Sequence, residues 1–318
     1  MKIIWNITDK CPYNCKICAT YDTNKKELNF EEKIIALNSI LSIQNYVTEI
    51  DFSGGDPLYD LNSKKIIKRA IDIWDCNSVC VTTTGYSIEL LSEEEKKSLL
   101  KNIELTLDLK LMGSSFRNHD YGVSNLNALY RNLDYIKRIT VNTPLIEISD
   151  LPNIDSFIKT INNLPLQNVT IALLRLMPVG KAHSMQSIEN YEYLKIINYV
   201  KESLNKNVKL HLHCAFRGCL DLENRYYCNM LEDKIGVDCA GNVYTCPWCG
   251  YINKCNIKNP FYIGNLLNKS LRDILQEAKD LYNFDTFQSR SCRLFSYYYG
   301  NENIYAEADP LLIKGYII

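Results

Sequence analysis

Three cysteines near the start of the chain have the spacing most specific for chemistry. Cys11, Cys15 and Cys18 form C-x3-C-x2-C, directly after the apolar stretch Ile3-Ile4-Trp5-Asn6-Ile7. Thiolates this close together can ligate three irons of a cubane iron–sulfur cluster. The fourth iron is then left without a cysteine from the motif. An open metal position is where a substrate or cosubstrate binds, as in catalytic rather than structural zinc sites. The chain has 13 cysteines, and they are clustered. Beyond the first trio there are Cys76 and Cys80, then Cys214, Cys219, Cys228, Cys239, Cys246, Cys249 and Cys255, and finally Cys292. Clusters of this kind read as metal sites, whereas Cys76 and Cys80 read as scattered buried thiols.

Composition narrows the function classes. A length of 318 residues with a net charge of -1 gives no basic footprint for nucleic acid or an acidic membrane surface. No stretch reaches the roughly 20 apolar residues of a membrane span. With Met1-Lys2 running straight into an apolar strand, no signal peptide is expected and the cytosol is the default compartment.

The elements that must position the cysteines follow from the apolar pattern. Residues 1–213 alternate strand-like runs with helical patterns. The strands are expected at Lys2–Thr8, Val47–Phe52, Ser78–Thr84, Ile103–Leu109, Ile139–Thr143, Val169–Leu176 and Lys209–Leu212. The helices are expected at Glu31–Leu41, Ser63–Trp74, Glu93–Lys101, Asn125–Lys137 and Ile188–Leu204. This rhythm predicts an α/β fold, a partial (β/α)6 TIM-like barrel with ligand loops at the C-terminal strand ends. The cysteine loop, Gly54-Gly55 and Thr84-Gly85 all fall at such ends. From residue 214 to 318 the rhythm gives way to short strands, glycines and cysteines, which predicts a cysteine-rich α+β cluster-binding domain with one helix at Ser270–Leu281. The apolar tail Leu311–Ile318 is expected to pack as a terminal cover.

These residues resemble the radical S-adenosylmethionine (radical SAM) superfamily, whose signature is C-x3-C-x2-C after the first strand. Ile17 stands where an aromatic residue is usual. Gly54-Gly55-Asp56-Pro57 resembles the superfamily's G-G-E-P segment with Asp for Glu, and Thr83-Thr84-Gly85 its T-N-G segment. Asn142 and Arg175 with Leu176–Gly180 look like later strand-end elements near the cosubstrate. The resemblance implies a [4Fe–4S] cluster at Cys11, Cys15 and Cys18. It implies S-adenosylmethionine bound near Gly54, Gly55, Asp56, Pro57, Thr84, Asn142 and Arg175, with Asp56 accepting from the methionine ammonium. Reduced cluster would then cleave the cosubstrate to a 5′-deoxyadenosyl radical that abstracts hydrogen from substrate. An external donor such as flavodoxin or ferredoxin would supply the electron.

Cys228-x12-Gly241-x4-Cys246 looks like the start of the SPASM or twitch extension of this superfamily, as does Ile263-Gly264-Asn265-Leu266 before the helix. The resemblance implies at least one auxiliary [4Fe–4S] cluster, with Cys228, Cys246 and Cys292 as ligands and Cys249 as the fourth. A second cluster could draw on Cys214, Cys219, Cys239 or Cys255, and zinc in a four-cysteine knuckle is the rival for part of the group. Cys239 and Cys249 are candidates for an unligated, hydrogen-atom-donating thiol.

Further candidates follow from position. Asp108 closes a strand and suits a substrate or ribose contact, and Arg175 suits a carboxylate clamp, against a buried structural ion pair. His211 and His213, two apart on a strand, are expected to share a face, whereas His119 and His183 are expected at the surface or in loops. Tyr226-Tyr227 and Tyr298-Tyr299 are candidates for a substrate groove.

Auxiliary clusters of this type often accompany peptide-modifying enzymes by family resemblance, which implies epimerisation, crosslinking or oxidation of a ribosomal peptide. The cluster motif begins at residue 11, so no N-terminal peptide-recognition domain is expected. The alternatives are a sugar or aminocyclitol dehydrogenase, and a non-catalytic iron–sulfur electron-transfer protein. A carrier would need neither the glycine motif nor open strand ends.

Overall fold

The computed structural model describes residues 1–20, 25–74, 78–108, 121–146, 151–165, 168–185, 188–216, 228–252, 259–281, 291–306 and 308–313. Seven strands lie parallel and side by side in chain order: β1 (Lys2–Thr8), β2 (Glu49–Gly54), β3 (Ser78–Thr83), β4 (Glu104–Asp108), β5 (Ile139–Leu145), β6 (Val169–Arg175) and β7 (Val208–Leu212). Between them run α1 (Phe30–Leu41), α2 (Leu61–Ile73), α3 (Glu93–Ser98), α4 (Tyr121–Arg131), α5 (Leu151–Asn162) and α6 (Asn190–Ser203). This is the expected α/β partial barrel, and each of the seven strands expected in residues 1–213 is present.

Side-chain alternation explains the two faces of the sheet. On β1, Ile3, Trp5 and Ile7 are fully buried in the main core, while Ile4 and Asn6 point to the opposite face and line a cleft. The helices begin at identifiable caps. Asn29 and Glu32 exchange hydrogen bonds at the start of α1, and Ser92 and Glu95 do so at α3, each pair satisfying two otherwise orphaned backbone N–H groups. Asp60 caps α2 by accepting from the Ser63 backbone at 2.9 Å. Helix α5 was not anticipated from the sequence, although Ile154, Phe157, Ile158 and Ile161 bury one helical face.

The second region does not form a sheet of its own. β8 (Lys234–Val237) pairs parallel with β1, placing Ile235 opposite Ile3 and Val237 opposite Trp5. β9 (Asn242–Tyr244) and β10 (Tyr262–Asn265) continue antiparallel from it, giving the order β10-β9-β8-β1-β2-β3-β4-β5-β6-β7. The first strand is therefore interior rather than an edge, and both cysteine regions hang from one sheet. Helix α7 (Leu271–Leu281) starts where expected: the Ser270 hydroxyl accepts from the Asp273 backbone at 3.2 Å. Leu271 N–H donates to Ser39 on α1 at 2.8 Å, fixing α7 against the first helix. The chain then forms α8 (Arg293–Tyr299) and α9 (Pro310–Ile313). The last five residues of the apolar tail, 314–318, lie outside the described residues, while Leu311 is buried in the main core. Among the described residues no helix is long and apolar enough to cross a membrane.

Candidate active site

The first cysteine loop leaves the C-terminal end of β1 and is stapled to the glycine motif at the end of β2. Gly55 N–H donates to the Thr8 carbonyl at 2.6 Å, and Asp56 N–H donates to the Lys10 carbonyl at 2.7 Å. A Cβ on Gly55 would run into that Lys10 carbonyl, and Gly54 adopts φ +123°, where side chains are rarely found. The glycines thus admit the cysteine loop's own backbone as well as facing the cleft. On the other side Lys181 N–H donates to the Cys18 carbonyl at 2.9 Å, and the Lys181 ammonium bonds Asn14. A Cβ on Gly180 would strike the Cys18 and Ala19 carbonyls.

Cys11, Cys15 and Cys18 are free thiols. Cys18 lines the cleft and Cys15 is buried. Burial pushes the Cys11 thiol up to about 12; Tyr13 N–H opposes this, while Asp56, Cys18 and Cys15 add to it. The loop thus gathers sulfurs where burial and local charge resist thiolates, and bound iron would supply the missing positive charge. The donor set fits a cluster bound by three cysteines.

The cleft lies over the strand ends. Its wall includes Cys18, Gly54, Gly55, Thr84, Asp108 and Asn142, as expected from their positions in the sequence. Asn6, Asp51, Ser53 and Thr82 also line it, one layer deeper, and sequence reasoning missed them. Their signal was present: they alternate with buried apolar residues on β1, β2 and β3. Asp51 is buried, accepts from the Thr82 hydroxyl at 2.9 Å and lies 3.6 Å from the Lys2 ammonium. Burial pushes its carboxyl up against that lysine's pull.

Two expected cofactor contacts face elsewhere. Asp56 is fully buried and does not line the cleft. Its Oδ1 accepts from Thr83 Oγ1 at 2.8 Å and Leu58 N–H at 3.1 Å. Its Oδ2 accepts from Thr84 Oγ1 at 2.6 Å, with Thr84 N–H at 3.4 Å and Ser87 Oγ at 3.3 Å. Asp56 therefore locks the glycine loop onto the end of β3 rather than reaching an ammonium; Pro57 beside it is also buried away from the cleft lining. Burial pushes the Asp56 carboxyl up, and the Thr84 and Thr83 hydroxyls oppose this. Asp56→Ala is expected to strand these donors, costing about 1–3 kcal/mol of stability. Urea unfolding checks it, and Asp56→Glu is expected to recover part of the loss.

Arg175 borders the cleft, but its guanidinium is engaged. Nη1 and Nη2 each lie 2.7 Å from a different oxygen of Asp309, with both side chains fully buried. Nη1 also donates to the Ala215 carbonyl at 3.3 Å, and Cζ sits 3.6 Å above the Phe295 ring. The expected carboxylate clamp is met from within the chain, as a structural ion pair tying the end of β6 to the segment before α9.

The second sulfur group includes Cys214, which the sequence offered to a second cluster. Cys228, Cys246, Cys249 and Cys292 gather in one buried cluster of side chains with Phe261, Phe295 and Tyr297. Cys214 belongs with them electrostatically: Cys228, Cys246 and Cys292 each feel its charge. All five are free thiols. Burial pushes Cys249 and Cys292 up, with neighbouring cysteines adding to it. Burial alone would raise Cys214 too, but His213 and Lys234 hold it low. The Lys234 ammonium donates to Cys214 Sγ at 3.0 Å. Among the described residues it has no carboxylate partner, so the positive charge faces sulfur alone. A cubane held by thiolates is anionic and fits both the donors and that charge. Trp248, between Cys246 and Cys249 in sequence, lines the cleft and meets the His213 ring edge-on at 5.8 Å between centroids.

Other candidates are dispersed. Cys239 stands apart from both groups, 2% exposed, donating to Asp9 Oδ2 at 3.1 Å. Neither Cys239 nor Cys249 lines the cleft, so neither thiol faces it as a hydrogen donor would. His211 is exposed and His213 buried, so they do not share a face; β7 ends at Leu212 before the second histidine. His183 is exposed, as expected, with Nδ1 3.0 Å from the Gly180 carbonyl. Cys76, His119, Cys219, Tyr226, Tyr227 and Cys255 lie outside the described residues.

A mostly parallel α/β sheet thus carries two groups of free thiols, one at the cleft and one beside it, whose donors suit iron–sulfur clusters. Comparisons with known proteins identify two domains. Residues 3–128 match the 4Fe-4S single cluster domain, and residues 228–294 match SPASM, an iron-sulfur cluster-binding domain. GTP 3',8-cyclase of Clostridium perfringens (strain SM101 / Type A) is 22% identical over 323 residues, covering 93% of this chain and 95% of its own. Among solved structures, SuiB of Streptococcus suis bound to its precursor peptide SuiA superposes with a TM-score of 0.71 at 13% identity, covering 98% of this chain and 75% of its own. Native anSMEcpe with bound AdoMet and Cp18Cys peptide gives 0.63 at 15% identity, covering 98% and 97%. The chain thus carries a 4Fe-4S cluster domain followed by a SPASM iron–sulfur cluster-binding domain, on the fold that SuiB and anSMEcpe share.

Proposed function

We propose that this chain is a radical SAM enzyme, with S-adenosylmethionine, a radical SAM cluster and an auxiliary cluster as cofactors, and that it abstracts a hydrogen atom from a residue of a ribosomally made peptide, as a step in that peptide's maturation by epimerisation, crosslinking or oxidation. The observation that carries the reading is the composition of the cleft. One side is built from the cysteine loop and the strand ends, the other from Pro247, Trp248 and Tyr251 of the SPASM region. Among the described lining residues the only cation is Arg175, and Asp309 already neutralises it. Such walls suit an uncharged backbone and side chain. A nucleoside triphosphate needs several donors carrying positive charge. The likeness in fold to SuiB and anSMEcpe, both captured with peptides, supports the same reading. The relatives named GTP 3',8-cyclase favour a nucleotide as the competing substrate.

Cys11, Cys15 and Cys18 would hold the first cluster, which, when loaded and reduced, supplies the electron that cleaves S-adenosylmethionine. The residues of this chain then bind and position. Gly54, Gly55, Thr84, Asn142 and Asp108 line the cleft; the first four would border the cosubstrate, and Asp108 the substrate or ribose. The aromatic wall of Trp248 and Tyr251 excludes water beside the reacting carbon. A small electron-transfer protein such as flavodoxin or ferredoxin is the expected donor.

The test is co-expression with the short reading frames flanking the gene, followed by mass spectrometry of each product. A mass change in one peptide that disappears in the Cys15→Ala enzyme is expected. Unchanged peptides, together with conversion of GTP to a cyclised nucleotide by the purified enzyme, would overturn the reading.

A further inference from the structure

We propose that Lys234 sets the reduction potential of the auxiliary cluster, holding it higher than the cysteine ligands alone would. The proposal rests on the reading that this cluster sits among Cys214, Cys228, Cys246, Cys249 and Cys292.

The placement of Lys234 is unusual for a lysine. It opens β8, where its backbone lies opposite Lys2 of β1, so the side chain is anchored on an interior strand of the sheet. Its ammonium points into the sulfur group and donates to Cys214 Sγ at 3.0 Å. Cys246 and Cys228 are its next sulfur neighbours. No carboxylate lies within ion-pair distance among the described residues, although Asp233 precedes it; Asp233 instead accepts from Asn229 at 2.8 Å. Lys234 is half-buried, and a cation partly withdrawn from water with no anionic side chain is costly unless another anion is present.

The consequence is electrostatic. One-electron reduction takes the cluster from [4Fe–4S]2+ to [4Fe–4S]+, with the electron supplied by a reductant such as dithionite, and makes the cluster with its thiolates more negative by one charge. A fixed ammonium within hydrogen-bond distance of a ligand sulfur stabilises the more negative state more than the less negative one. Hydrogen bonds to cluster sulfurs and nearby net charge are the levers by which proteins set these potentials. The Cys214 contact provides both. Lys234 is thus a positioning residue for electrons: it favours residence of an electron on the auxiliary cluster, separated from the cleft by Trp248 and His213.

The experiment uses the full chain carrying Cys11→Ala, Cys15→Ala and Cys18→Ala, so that auxiliary iron alone contributes. Reconstituted anaerobically, this background is compared with the same chain carrying Lys234→Gln or Lys234→Arg. Iron content is measured, then an EPR-monitored potentiometric titration with dithionite is run. Lys234→Gln is expected to keep its iron but lose at least tenfold in the equilibrium constant for reduction. That loss is a downward shift of about 59 mV for a one-electron couple. Lys234→Arg is expected to stay near the background value. Equal midpoints in Lys234→Gln and the background overturn the proposal. So does a folded Lys234→Gln chain that assembles no cluster, since the ammonium would then be a condition of assembly rather than a regulator of potential. Absence of iron from the background itself overturns the underlying cluster reading, and the proposal with it.

Discussion

Replacing Cys11, Cys15 and Cys18 together by alanine is expected to remove about four irons per chain and to abolish cleavage of S-adenosylmethionine. The expectation follows from the separation of the two sulfur groups. The first trio hangs between the glycine motif and the Gly180 turn, with Cys18 at the cleft. The second group is packed around Phe261, Phe295 and Tyr297. No thiol of the second group lines the cleft, so none is placed to substitute for the first. Auxiliary iron should therefore persist, with its visible absorption, while the product 5′-deoxyadenosine falls to the level of a protein-free control. Single substitutions should approach the same result, because a cubane left with two cysteine ligands is exposed to loss. Unchanged iron in the triple variant, or cleavage that persists without it, contradicts the assignment of the trio.

Asp309→Ala is expected to produce the largest loss of stability from one substitution outside the cysteines, about 3–5 kcal/mol, the usual cost of removing one member of a buried ion pair. The bidentate pair with Arg175 is fully enclosed, and the change leaves a guanidinium with no counter-charge over the Phe295 ring. It also removes the oxygen that accepts from Leu311 N–H at 3.0 Å. Removing both charges together, as Arg175→Met with Asp309→Leu, should cost markedly less than the single change, because no charge is then stranded. Urea unfolding at equal iron loading, completed as a double-mutant cycle, reads both values. A single substitution costing under about 1 kcal/mol, the scale of an exposed pair, contradicts the account of this contact.

The motifs legible in the sequence are those whose partners lie close along the chain. C-x3-C-x2-C and Gly54-Gly55-Asp56-Pro57 are local, and the strand–helix rhythm that places them at strand ends is a pattern of burial within each element. Asp108, Asn142 and Thr84 reached the cleft for the same reason. What escaped depends on contacts far apart in sequence. The insertion of β8 beside β1 makes one sheet of two expected domains, and no local pattern around residues 234–237 announces that pairing. Arg175 was legible as a strand-end cation, but its partner is 134 residues away. Asp56 occupies the position of a ligand-facing acid in the motif it resembles, yet three hydroxyls and two backbone amides turn its shorter side chain inward. Cys214 joined the auxiliary group, and Cys239 left it, because grouping of sulfurs is decided by packing rather than spacing.

The most direct test combines the purified, anaerobically reconstituted enzyme with S-adenosylmethionine and dithionite, without substrate, and follows the products by chromatography. Formation of 5′-deoxyadenosine and methionine is predicted, with an EPR signal of the reduced first cluster that changes when the cosubstrate is added. A protein whose iron–sulfur centres are reduced and reoxidised while S-adenosylmethionine stays intact, with no spectral response to it, would contradict an open iron at the cysteine trio.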